Sequence, residues 1–350
     1  MLLNGKLSGG RYEPYSSHFG LQGILYSIID KILTKINIDS KNRVFIYQAI
    51  ASLLLAVILS AVVLLFYLEL GIYPAIFLLF GLAGEQFLIL IAKSLYWSFW
   101  TYYLPFFIAF VVHKLDEKYK NINFNYFYLS IFTATFFRSL IGYEFISTVI
   151  LATLSPIVYF SIKNQWEKRY TIKRLIITGV CGVFGFISAL IAHIVQLYSS
   201  TGSFSEAWNA ILSVVLVRTH GNPNDYSSTE YAEHLSSSIF EVYFIYLKGI
   251  KGATAALIMI FILATVFSYK RLKSTQKNFY TLKALVITLW FSFLAPMSWY
   301  TLAKGHSYDH TRLNHVLWNL PFNIFGFSLV GFVLYLLVQD FRKNKLKSNT

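Results

Sequence analysis

Between the apolar runs 284–303 and 316–339 the chain reads Lys304-Gly-His-Ser-Tyr-Asp-His-Thr-Arg-Leu-Asn314, with His315 behind it. Lys304, His306, Asp309, His310, Arg312 and His315 make this the densest set of titratable groups in a hydrophobic sequence. Such groups need water, a ligand or one another. How the stretch is read therefore turns on which membrane face it occupies and what shares that face.

The surrounding composition makes a membrane the relevant solvent. Of 350 residues, 56% are hydrophobic and 13% charged, far from the roughly 25% charged residues of a soluble domain. The net charge of +14 would suggest nucleic acid if it formed one patch. Instead the basic residues sit in short clusters between apolar runs, as juxtamembrane charges do, so no nucleic-acid partner is expected. The single cysteine, Cys181, lies in an apolar run and permits no disulfide framework. The first ten residues carry no apolar core of a cleavable signal peptide.

From Leu21 the apolar positions 21, 24, 25, 28, 29, 32, 33 and 36 keep helical spacing, while Gln22, Asp30, Lys31, Thr34 and Lys35 take the other face. This predicts an amphipathic helix lying in the membrane interface. Nine spanning segments are expected after it, near 44–68, 74–92, 95–112, 122–137, 145–162, 175–198, 252–269, 284–303 and 316–339. Each is about 16 to 25 residues long, against the roughly 20 needed to cross the hydrocarbon. The fold class is thus an all-α, polytopic transmembrane bundle, 44–350, preceded by an arm, 1–43.

Alternate connections are basic: Lys114, Lys118 and Lys120; Lys163, Lys168, Arg169, Lys173 and Arg174; Lys270, Arg271, Lys273 and Lys277; and Arg342, Lys343, Lys345 and Lys347. The positive-inside rule makes these cytoplasmic. The arm, the turns at 93–94 and 138–144, the loop 199–251 and the stretch 304–315 then lie outside. This topology expects a further membrane helix ahead of Met1 to carry the arm across. Inside the 199–251 loop, Ser203-Phe-Ser-Glu206 has the spacing of a capping box. Trp208, Ile211, Leu212, Val215 and Leu216 then recur as a second interfacial helix ending at Arg218. Ser227-Ser-Thr-Glu230 is placed to cap a short helix carrying Glu233 and His234.

Several residues can carry chemistry. Glu13 and His18 sit in the arm, either solvated or near a ligand. Arg138 and Glu144 bracket a very short turn, where they either pair and cap helix ends or touch a ligand. Glu85 lies inside an expected span and needs a partner, Lys93 or Arg138. His306 and His310, four apart with Asp309 adjacent, can hold a divalent metal, although Gly305-His-Ser-Tyr308 reads as loop. With Lys304 and Arg312 the same histidines can hold phosphate oxygens through charge-assisted hydrogen bonds. The structural alternative is a polar loop whose histidines bond backbone. No Gly-rich phosphate loop, Gly-x-Ser-x-Gly elbow or Cys/His cluster is present.

The order of parts, with Ser17-His-Phe-Gly-Leu-Gln-Gly23, Lys93-Ser-Leu-Tyr-Trp-Ser98, Gly142-Tyr-Glu-Phe-Ile-Ser147 and Ala303-Lys-Gly-His-Ser307, resembles the GT-C class of integral-membrane glycosyltransferases. That resemblance implies transfer of a sugar from a polyprenyl-phosphate donor to a glycan, lipid or protein acceptor on the outer face of a bacterial inner or plasma membrane. It implies Glu13 as the base that deprotonates the acceptor, and no required cofactor, with a divalent metal left open. Lys304, His306, His310 and Arg312 would neutralise the departing lipid phosphate, with Arg138 and Arg218 in reserve. His18, Glu144 and Asp309 complete the expected substrate-binding set. Arg11-Tyr-Glu-Pro14 departs from the class, whose first-loop acid is more often Asp. Two other functions fit the same features: a transporter or flippase for a lipid-linked glycan, pointed to by Glu85 and the basic outer cluster, and a non-catalytic subunit of an envelope polysaccharide assembly.

Overall fold

The computed structural model describes residues 15–120, 122–226, 229–272 and 278–348, and among them it is helical throughout, without strands. The helices are α1 (Leu21–Lys35), α2 (Ser40–Leu70), α3 (Ile72–Ala83), α4 (Gln86–Ala92), α5 (Trp100–Tyr119), α6 (Phe124–Ile141), α7 (Ile146–Lys163), α8 (Lys168–Thr201), α9 (Phe204–Arg218), α10 (Thr229–Ser236), α11 (Ile239–Lys248), α12 (Ala253–Leu272), α13 (Phe279–Leu302), α14 (Lys304–Asp309) and α15 (Phe322–Ser348). Short 3₁₀ turns stand at Pro223–Asp225, Ile250–Gly252 and Leu313–Asn319.

Six of these, α2, α7, α8, α12, α13 and α15, are long and apolar enough to cross a membrane. The expected span 74–92 is two helices, α3 and α4, bent by 66° where Gly84-Glu85 interrupts the run; counted as one, they make seven. α5 and α6 occupy the expected segments 95–112 and 122–137 with shifted ends, and fall short of that test. α5 runs on through Lys114, Asp116, Glu117 and Lys118, and α6 carries Asn125, Ser130, Thr133, Thr135, Arg138 and Ser139. The expected ninth span begins six residues late, since Leu313–Asn319 is a 3₁₀ turn ending before Pro321.

α7 is the axial helix, in contact with α5, α6, α8 and α13. Its Val149, Ala152, Tyr159 and Phe160 are buried in an aromatic core with Phe66, Phe106, Phe110 and Phe325. Close approach of neighbouring helices needs glycine at two points. A Cβ on Gly185 of α8 would stand 2.6 Å from the Phe132 carbonyl of α6, and one on Gly331 of α15 would stand 2.6 Å from the Pro74 backbone of α3. Any side chain there would push the helices apart.

The bundle has two chemically different ends. At one, the buried Glu69 carboxylate takes Lys114, Lys163 and the Tyr159 hydroxyl, the last at 2.8 Å, while Lys163 also reaches Glu117 at 2.7 Å. Arg174 stacks there on Phe124 and faces Asp116. Two basic clusters expected to share a membrane face thus share an end. The opposite end gathers residues 15–20, α1, the 93–99 connection, the 142–145 turn, α9 to α11, and α14. α1 is fastened to α2 by Asp30, which takes Arg43 Nε at 2.8 Å and the Tyr47 hydroxyl. It leaves Ile24, Ile28 and Ile32 exposed, as α9 leaves Phe204, Trp208 and Leu212, and α11 leaves Phe240 and Phe244.

Candidate functional site

The centre of the second end is Glu144, in the turn between α6 and α7. α6 stops at Ile141, and Phe145, in left-handed conformation at φ 65°, starts α7 and turns the chain inward. Glu144 is thereby buried. Its Oε1 accepts from Arg218 Nη1 at 2.9 Å and from the Tyr96 hydroxyl at 3.1 Å. Arg138, itself buried, donates from Nη2 to the Glu144 carbonyl at 3.1 Å and to the Tyr102 hydroxyl, with its guanidinium 3.6 Å from the Tyr102 ring. Burial alone would raise the Glu144 carboxyl. The Arg218 charge, with Arg138 further off, outweighs that and holds it down at about 2. Arg218 is thus paired with the carboxylate itself, whereas Arg138 bonds the backbone carbonyl of the same residue and acts on the carboxylate as a nearby second positive charge.

The arm carries His18, expected to be either solvated or near a ligand. The described part of the arm, 15–20, is sewn into the bundle. His193 Nε2 of α8 meets the Tyr15 carbonyl at 2.9 Å, and Gln196 Nε2 donates to the Phe19 carbonyl at 3.1 Å. His18 is buried between Tyr15 and Tyr96, 4.9 Å from each ring, and contacts Gln22 Nε2 at 3.1 Å. Burial pushes its imidazole down to about 4, so it is neutral near pH 7. Glu13, the expected base, lies outside the described residues.

The 304–315 stretch also differs from the expected polar loop. Gly305–Ser307 forms part of helix α14 and is buried, as are Asn314 and His315. His306 sits among Trp97, Phe145 and Trp299, with ring centroids 6.5, 6.0 and 5.6 Å away. Burial, with Arg218 nearby, pushes it down to about 3, so it offers a neutral ring and not a cation. Asn314 Nδ2 lies 3.3 Å from its Nδ1. His315, stacked on Phe87, is held at about 4 by burial. Its histidines are kept from water by aromatic side chains of two connections, Trp97 and Phe145, and of two helices, Phe87 of α4 and Trp299 of α13.

A cavity of about 510 Å³ opens beside this centre, lined by Tyr15, Ser17, Val217, Arg218, Tyr226, Tyr231, His234, Gly305, His306, Asp309 and His310 among others. An apolar cleft of about 210 Å³ adjoins it, lined by Tyr143, Ile146, Phe186, Ile211, Trp299 and Leu302. The two share Ser17, Val214 and Arg218. Of the expected substrate-binding residues, Arg218, His306, Asp309 and His310 line the cavity. His18, Glu144 and Arg138 are not among its lining residues, and of the three Glu144 bonds Arg218. Lys304 is committed elsewhere, donating from Nζ to the Leu235 and Ser237 carbonyls at 2.6 and 2.8 Å. Arg312 is exposed and is not among the lining residues. Glu85, at the α3–α4 bend, has Asn319 as its side-chain neighbour and not Lys93 or Arg138.

Reading the residues alone missed Tyr96, Tyr102, His193, Glu230 and the role of His234. The local signal for Tyr96 was its place in a short aromatic connection between apolar runs. Glu230 and His234 carried the i,i+4 spacing of one helix face. Ser203 accepts from the Glu206 amide at 3.3 Å, but the full reciprocal box is made by Ser238 and Glu241. The chain matches no protein-family model, no curated protein and no solved structure.

Proposed function

We propose that this chain is a membrane glycosyltransferase that moves a sugar from a polyprenyl-phosphate donor to a glycan, lipid or protein acceptor at the outer face of the membrane. The observation that carries the reading is the junction at Arg218 of a polar cavity with an apolar cleft. A lipid phosphate needs both: apolar lining for the chain and a cation at the headgroup. Arg218 supplies the cation, and the surplus positive charge of the Arg138–Glu144–Arg218 triad survives its pairing. The exposed apolar faces of α1, α9 and α11 suit helices resting in the interface around the cavity mouth, on the face opposite the basic clusters at Lys114 and Lys163.

In this reading the acceptor hydroxyl attacks the anomeric carbon as a base takes its proton. The bond from that carbon to the phosphate oxygen breaks, and the phosphate leaves carrying the electron pair, stabilised by Arg218. Glu13, two residues before the cavity-lining Tyr15, is the proposed base. Membranes containing the protein, given radiolabelled polyprenyl-phosphate sugar, should yield labelled product. Arg218→Ala should lower transfer by about a hundredfold, the scale for removing a group that stabilises developing charge. Glu13→Gln should abolish it. Transfer that is undetectable in the wild type, or unaltered by Arg218→Ala, would sink the reading.

A further inference from the structure

We propose that Glu230, His234 and Asp309 form a divalent-metal site, of the kind that takes Zn²⁺ or Mn²⁺, which clips α10 onto α14 across the rim of the cavity. Glu230 and His234 lie four apart on α10 and so share one face, while Asp309 comes from α14, 75 residues further along the chain. One ligand atom from each falls within 4.8 Å of the others. His234 Nε2 stands 3.9 Å from Asp309 Oδ1. Ligands at about 2.1 Å from a tetrahedral zinc are separated by about 3.4 Å, so the His–Asp pair already has close to the required spacing. Glu230, on an exposed turn of α10, needs only side-chain rotation to complete a three-ligand shell with a position left for water.

Two further features make this more than a chance meeting of surface groups. The second oxygen of Asp309 faces His310 Nδ1 at 3.5 Å, an outer partner of the type that orients a metal-binding carboxylate. The helices bearing the ligands are also fixed to each other before any metal arrives. Lys304 Nζ, at the start of α14, holds the Leu235 and Ser237 carbonyls at the end of α10. α14 is further seated against its other neighbours, Tyr246 of α11 donating to the Ser307 carbonyl at 2.6 Å and the Gly305 amide donating to the Thr219 carbonyl after α9 at 3.2 Å. Little conformational entropy remains to be lost on binding, which favours affinity.

His234 and Asp309 both line the cavity, so the ion would fix its outer wall while leaving the Arg218 end open. This inference stands apart from the glycosyltransferase reading, because binding is measured with no sugar or lipid donor present. Protein purified in detergent without a histidine tag, and freed of metal by chelator, should be titrated calorimetrically with Zn²⁺ and Mn²⁺. The expected result is one ion per chain, with His234→Ala and Asp309→Asn each weakening binding at least tenfold. His220→Ala, at an exposed histidine of the same connection, should change nothing. Metal should also slow proteolysis within 221–236 in the wild type and not in Asp309→Asn. Absence of saturable binding by either ion, or binding that His234→Ala and Asp309→Asn leave intact, overturns the proposal. If His234→Ala does not fold, the near-isosteric Asp309→Asn decides the matter alone.

Discussion

Replacing Glu144 by Gln tests whether one buried carboxylate holds the site end together. The change keeps the shape and the backbone carbonyl that takes Arg138, and removes the anion paired with Arg218. Two estimates of its cost converge. The carboxyl is held at about 2 rather than 4.5, and at about 1.36 kcal/mol per factor of ten this favours the native anion by about 3 kcal/mol. Removing one partner of a buried pair costs about 3–5 kcal/mol in other proteins, because the remaining charge stays buried and unmatched. At about 2 °C per kcal/mol for a chain of this size, Glu144→Gln should lower the unfolding midpoint by roughly 6 °C. Tryptophan fluorescence is a local reporter, since Trp97 stacks on Phe145 at 5.2 Å and Trp299 packs against the same ring at 5.4 Å. The carboxylate also sets the sign of the acid response. Its depressed value gives stability that is full above pH 4.5 and is lost as pH falls toward 2, and the Gln variant should lack that acid limb. A midpoint within 1 °C of wild type, with the limb intact, would refute the assignment of the Glu144 carboxylate as the anchor of Arg218.

Three other outcomes follow from the same geometry. His18, His306 and His315 are held at about 4, 3 and 4 by burial. The unfolded chain therefore takes up protons that the folded chain refuses, and stability should fall as pH drops from 6.5 toward 4, by up to about 4 kcal/mol per pH unit. A midpoint flat between pH 6.5 and 5 would contradict the neutral, buried state of all three. Gly305→Ala places a Cβ 2.4 Å from the Val217 carbonyl, a backbone atom that cannot rotate away. It should cost about 1–3 kcal/mol and weaken transfer by shifting α9 and with it Arg218, whereas unchanged stability would mean α14 is not pressed on α9. Arg218→Met should cost more in transfer than Arg312→Met, which should stay within about twofold of wild type in the same membrane assay, because only Arg218 lines the cavity.

Much of the helical plan was legible because apolar runs of about 20 residues separated by charge have few other uses. α1 and α9 were readable from stripe spacing, and the two basic clusters around Lys114 and Lys163 do meet, through Glu69. The bend at Gly84-Glu85 was not. An apolar run reads the same whether its backbone is continuous or broken, and the second half of this one, α4, packs against Leu313–Asn319, a partner far along the chain. α5 and α6 show the converse. Their charged and polar positions are accommodated by neighbours, with Arg138 on Tyr102 and Lys114 on Glu69, and no local pattern announces such pairings.

The site was legible as a set of residues and illegible as an arrangement, and the reason is electrostatic. Counting charges makes Lys304, His306, His310 and Arg312 equal candidates for an anion, since each carries or can take a positive charge. Burial separates them. Lys304 spends its donors on two backbone carbonyls, His306 is buried among Trp97, Phe145 and Trp299, Arg312 does not line the cavity, and His310 lines it beside Asp309. Arg218, a reserve candidate at the end of an amphipathic helix, becomes the central cation. It does so because Glu144, 74 residues away, fixes it at the meeting of polar and apolar space. A cation already paired binds an anion less strongly than a free one, unless a second cation keeps the net charge positive. In the proposed reading Arg138 is that second cation, and its burial against Tyr102 is part of how Arg218 would serve a phosphate.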